Sequence, residues 1–144
     1  MDNSPYSDDI KAVEGIEFGL PNNRGGSFIS VYKLQNAILV SASLADEFTI
    51  KHGEKVSFHI VSVNGTKKII LYKVDQPLNR NYLVIRKYKG GIYKIYSKNI
   101  VSKFLEMYES GVSEDATQKI EASIISNRPL EINNILVKEY ILFT

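Results

Sequence analysis

Tyr72, Tyr82, Tyr88, Tyr93 and Tyr96 are interleaved with Lys73, Arg86, Lys87, Lys89 and Lys94. On a sheet that mixture has a definite chemistry: aromatic faces on which bases stack, and cations that meet the phosphates between them. The cations begin earlier than the tyrosines. From Lys51 to Lys103 there are twelve Lys and Arg but two acids, Glu54 and Asp75, so the segment carries +10 and the rest of the chain −8, for a total of +2. A basic middle between acidic flanks is an electrostatic footprint for nucleic acid or an acidic protein partner. The candidate contacts are Lys51, Lys55, Lys67, Lys68, Lys73, Arg86, Lys87, Lys89, Lys94, Tyr88 and Tyr93. A patch divided between faces would argue against nucleic acid.

Other chemistry finds little footing. His52 and His59 lie seven apart without the acidic companions of a metal-ligand pattern, and read as a turn histidine and a sheet-surface histidine. The adjacent carboxylates Asp8-Asp9, Asp46-Glu47 and Glu114-Asp115 fall in an arm, a helix start and a polar loop. General acid–base catalysis wants carboxylates in a cleft, where environment pulls their pKa values apart. Gly25-Gly26 and Gly90-Gly91 belong to no phosphate-binding loop, and no nucleophile elbow is present. The chain has no cysteine, which excludes disulfides, thiolate metal sites and thiol nucleophiles. The expectation is a non-enzymatic protein with no metal and no cofactor.

The elements that position these residues are mostly strands. Asn64-Gly65 separates two apolar runs, 56–63 and 66–74, and is the preferred pair for a two-residue hairpin loop. Apolar residues on both faces of that hairpin predict cover on both sides. A second hairpin is expected from 82–88 and 92–96 around Gly90-Gly91. Its alternation puts Tyr82, Val84, Arg86 and Tyr88 on one face and Leu83, Ile85 and Lys87 on the other, with Ile92, Lys94 and Tyr96 sharing a face of the return strand. Further strands are read at 16–20, 27–33, 37–42, 119–125 and 135–143. The spacing of Ile100, Val101, Phe104, Leu105 and Tyr108 predicts a helix near 99–110, capped by Ser97 or Asn99 and stopped by Gly111. A shorter helix is expected at 43–48, with Ser43 as its cap. The fold class is thus mostly β (α+β), a compact antiparallel sheet or barrel-like domain over 16–144, preceded by a polar, acidic arm at 1–15. No apolar run approaches the roughly 20 residues of a membrane span, and no secretory signal is visible.

Two resemblances add to this. Ile38-Leu39-Val40, Leu44, Phe48-Thr49-Ile50, His52-Gly53-Glu54-Lys55-Val56 and Ile69-Ile70-Leu71 resemble the AbrB-like swapped-hairpin regulators, with glutamate at 54 where that family carries aspartate. The resemblance implies an interleaved dimer that binds DNA, with Lys51, Lys55, Lys67 and Lys68 on phosphates. The wider pattern adds the hairpin over 83–96, the helix with Val101, Phe104 and Leu105, and a β-rich tail. It is similar to small structural proteins of tailed bacteriophages, including the crAss-like group. That resemblance implies a virion or assembly protein, in the virion or host cytoplasm, acting through other subunits or self-association. Its arm would reach a neighbour. The phage reading is the leading expectation from sequence, and nucleic-acid binding the alternative.

Overall fold

The computed structural model describes residues 26–75, 82–108 and 117–144. The arm at 1–15, the strand expected at 16–20, most of the Pro77 linker and Gly111 lie outside the described residues. The chain is mostly β, as its patterning predicts, and its strands form a nearly closed antiparallel sheet.

Along the chain, β1 (Phe28–Tyr32) and β2 (Ala37–Val40) form a first hairpin. Helix α1 (Ala42–Glu47) follows. Its N-cap is Ser41, two residues earlier than the expected Ser43: the Ser41 hydroxyl accepts the Leu44 N–H and also the Phe28 N–H, tying the helix start to β1. β3 (Lys55–Val63) and β4 (Thr66–Lys73) meet across Asn64-Gly65, with φ of 53° and 85°. Positive φ at both positions twists the loop the way the strands twist.

The segment expected as a single strand at 82–88 is divided. β5 (Leu83–Val84) pairs with β3, β6 (Arg86–Lys89) pairs with β7 (Ile92–Tyr96), and the buried Ile85 stands between them. Helix α2 (Lys98–Met107) is capped by Ser97, whose hydroxyl accepts the Ile100 N–H. After it come β8 (Thr117–Ile125), the small hairpin of β9 (Leu130–Ile132) and β10 (Ile135–Val137), and β11 (Tyr140–Phe143). The strand expected over 135–143 is therefore two. Val137 is correspondingly not on the Ile141 face; it belongs with Tyr140 in a separate apolar cluster.

The sheet order is β5-β3-β4-β11-β8-β1-β2-β7-β6. Its two ends, β5 and β6, are one stretch of chain, so the sheet curls on itself as a barrel. Ile29, Val31, Ile38, Val40, Leu71, Ile95 and Ile141 point into the interior. Because β2 and β7 are antiparallel, α1 (after β2) and α2 (after β7) close opposite ends. α1 contributes Leu44 and Ala45, and α2 contributes Val101 and Phe104, to the same core. A second cluster lies outside: Ile132 and Val137 of the β9–β10 hairpin cover Ile70, Tyr140, Val61 and Tyr72. The expected cover on both faces of β3–β4 is found there, although Ile60 near the tip is 41% exposed.

α2 also repairs the sheet. β4 and β11 pair at Leu71/Ile141 and Ile70/Leu142. One step further, the Tyr108 hydroxyl enters, accepting the Ile69 N–H at 2.8 Å and donating to the Phe143 carbonyl at 2.6 Å. The inward-facing Gln118 donates to the Tyr108 carbonyl and so satisfies the helix end. At the other pole, Thr49 has φ 55°. The Thr49 and Ile50 N–H groups return to the Asp46 and Ala45 carbonyls, a Schellman closure whose left-handed position usually belongs to glycine.

Two outcomes follow for stability. Tyr108→Phe leaves a ladder N–H and carbonyl without a partner and costs about 1–3 kcal/mol in urea unfolding; an unchanged midpoint would show that the hydroxyl bridge contributes nothing. Burial holds the Tyr108 phenol above its ordinary range. Its contribution is complete below the unfolded value, about 10, and is lost as pH rises through the higher folded one. Tyr108→Phe removes that part of the alkaline loss. Conversely, Thr49→Gly raises stability by up to about 1 kcal/mol, the left-handed penalty less glycine's larger entropy loss; a lowered midpoint would refute the assignment of strain.

Candidate nucleic-acid interface

The strand that closes the barrel is also the axis of the cationic surface. With Leu83 and Ile85 turned to the core, Tyr82, Val84 and Arg86 face outward. Lys55, opposite Val84 on β3, sets its ammonium 5.7 Å from the Tyr82 ring. On the other side Arg86 lies opposite Lys94 of β7, and Lys94 lies opposite Leu39 of β2.

A register shift between Lys87 and Lys89 inserts one extra residue, Tyr88. Strict alternation would send Lys89 inward with Lys87. The bulge instead puts Lys89 opposite Ile92, on the outer side, next to Tyr88. Gly90 and Gly91 complete the turn, and a side chain at Gly91 would press on Ala42 of α1 at 3.2 Å. The closing strand is thereby held against the helix end.

Lys94 is the centre of the surface. Its ammonium lies 4.0 Å from the Tyr88 ring centre and 5.2 Å from that of Tyr96, and donates to the Tyr96 hydroxyl at 3.0 Å. That hydrogen bond, with the neighbouring tyrosines Tyr88 and Tyr32, raises its pKa. Tyr32 arrives by register: Tyr96, Ala37 and Tyr32 stand side by side on β7, β2 and β1. Among the described residues, the outward positions of β5, β6, β7 and β2 include no acid. On this face the first is Glu121 of β8, beyond β1. Glu54, near in sequence to Lys55, is held elsewhere: its carboxylate accepts the Lys51 N–H and pairs with Lys73 at 3.3 Å.

Comparison with known families, curated proteins and solved structures finds no match to this chain. The geometry therefore stands alone. Of the residues singled out in the sequence, Lys55, Arg86, Tyr88, Lys89 and Lys94 converge on the stripe. Lys67 and Lys68 sit instead at the β3–β4 tip, where Lys68 donates to the Thr144 carbonyl and approaches the Tyr108 ring. Lys73 is at the opposite pole, bonded to Glu54 and to the Thr49 carbonyl. Lys51 is exposed in the turn before β3, and Lys87 shares the side of the strand away from Arg86. Tyr93 lies on the other side of β7 from Lys94: it is half-buried, opposite the fully buried Val40, and packs against the interior cluster, apart from the stripe. The basic middle is thus divided between faces, which argues against nucleic acid for the segment as a whole and leaves that chemistry only to its one coherent aromatic portion.

Tyr82, Tyr96 and Tyr32 complete that portion. The alternation already showed Tyr82 and Tyr96; nothing local in the sequence could bring Tyr32 beside them. His52 has a structural role, its Nδ1 accepting the Lys87 N–H at 3.0 Å and fastening the closing strand to the turn before β3. Elsewhere, a cleft of about 610 Å³ opens between the end of β4 and the β9–β10 hairpin, lined by Phe48, Tyr72, Lys73, Asp75, Leu136 and Glu139 among others. Its charges are of both signs. Among the described residues no group of three or more His, Asp or Glu is placed to hold a metal ion, and no helix is long and apolar enough to cross a membrane.

Proposed function

We propose that this barrel is a nucleic-acid-binding module whose contact surface is the outer stripe from Lys55 and Tyr82 to Lys94, Tyr96 and Tyr32. One observation carries the reading: Lys94 lies between Tyr88 and Tyr96, opposite Arg86, on a face whose nearest positions include no acid. Cation–π and hydrogen-bond contacts hold the rings and the ammonium together before any ligand arrives, which lowers the entropy lost on binding. The AbrB-like alternative has its cations scattered over three places: Lys55 on this stripe, Lys51 in the turn before β3, and Lys67 and Lys68 at the β3–β4 tip. Its hairpin is also already paired on both sides, β4 with β11 and β3 with β5, so interleaving with a second copy would have to displace strands of the same chain.

A second reading, a phage-type assembly protein acting through self-association, draws on the β9–β10 hairpin. That two-stranded sheet has both outer edges open, with Ile135 46% and Leu136 57% exposed. An exposed apolar edge is a template for pairing with another chain.

Fluorescence anisotropy of labelled DNA over a salt series tests the first reading. Each phosphate contact on a single strand contributes a slope of about −0.7 in log K against log salt, so Arg86→Ala/Lys94→Ala flattens it by about 1.4. A Lys67→Ala/Lys68→Ala variant keeps the wild-type slope. The reverse pattern would move the interface to the β3–β4 tip, and absence of binding at low salt would refute the proposal. For the second reading, light scattering detects oligomers that Leu136→Lys disperses; a monomer at all concentrations counts against it.

A further inference from the structure

The shape of the stripe bears on which nucleic acid it takes. Tyr88 and Tyr96 are 44% and 56% exposed. A duplex keeps its bases stacked on one another and would offer these rings only its phosphates, leaving the aromatic faces in water. Reading a major groove needs a helix or β-ribbon that projects into it. Both helices are spent on the core, α1 through Leu44 and Ala45 and α2 through Val101 and Phe104. The stripe itself is the outer surface of a curved sheet. The β3–β4 ribbon is paired with β5 and β11, its Lys68 is bonded back to the Thr144 carbonyl, and the described rings of the stripe are not on it.

We infer, resting on the nucleic-acid reading above, that the ligand of this face is a single strand. Its bases stack on Tyr88 and Tyr96, and its phosphates meet Arg86, Lys89 and Lys94. The backbone runs along the closing strand towards Tyr82 and Lys55. Tyr88 follows Tyr82 by six positions, about 20 Å of extended chain, which spans roughly six nucleotides at the stacked spacing of about 3.4 Å. Every base has a ring face, so the surface takes sequences with little discrimination.

The test uses the full chain with a DNA oligonucleotide of roughly twelve nucleotides, alone and annealed to its complement, at one salt concentration. The protein has nine tyrosines and no tryptophan, so its own fluorescence reports on tyrosine. The expected result is at least about tenfold tighter binding of the single strand, accompanied by quenching of that fluorescence. Tyr88→Leu weakens it about tenfold or more, and Tyr88→Phe retains it, since stacking needs the ring and not the hydroxyl. Tyr96→Leu provides an independent variant should Tyr88→Leu fail to fold. Equal or tighter binding of the duplex, or full affinity in both leucine variants, overturns the single-strand assignment while the nucleic-acid reading stands. No binding of either form overturns both.

Discussion

One strand serving two neighbours is the constraint on which the rest of the molecule depends. A nine-stranded twisted sheet with one apolar face must bury that face, and here it does so by meeting itself. The join is at Ile85. Its N–H donates to the Glu54 carbonyl at 2.9 Å and its carbonyl accepts the Gly53 N–H at 2.8 Å, while its side chain is wholly buried. On either side of that residue the chain faces β3 and then β7. The same geometry that seals the core leaves Tyr82, Val84 and Arg86 outside, so closure of the barrel and construction of the surface stripe are one event.

The ends of the barrel show how incomplete strand pairing is managed. β4 and β11 diverge where α2 comes in, and a side-chain hydroxyl stands where a backbone bond would have been. Phe104 makes edge contacts with Phe58 and Phe143 behind it, at 5.8 and 5.1 Å between ring centres. At the α1 end, Lys73 bridges Glu54 and the strained Thr49 turn. Cations that composition alone groups with the binding surface thus prove to hold the fold together.

What was legible in the sequence is local. Asn64-Gly65 determines its hairpin because few other residues accept two consecutive positive φ values, and the α2 apolar spacing determines its buried face. Asn133 and Asn134 also have positive φ and connect β9 to β10, a signal of the same kind that the apolar run over 135–143 obscured. Three features were not legible because they are set by distant partners. Ile85 changes neighbours without any change of residue type. The bulge at Tyr88 alters the parity of everything after it in β6. Tyr93 and Tyr96 differ in burial only because β2 fixes which side of β7 faces the core. Alternation reveals that two faces exist; a neighbouring strand decides which is inside.

The place of β11 in the sheet has a further consequence, in the order of assembly. It comprises residues 140–143, yet it lies between β4 and β8 rather than at an edge. β8 in turn pairs with β1, joining Phe28 to Glu121. Hairpins such as β3–β4 are local and can form early, but the two sides of the barrel are not joined until β11 is free to enter the middle. Long-range pairings of this kind give slow folding, on the order of milliseconds to seconds. Until β11 has been made and has entered between β4 and β8, the apolar faces of the β3–β4 and β1–β2 hairpins are therefore not yet sealed against each other.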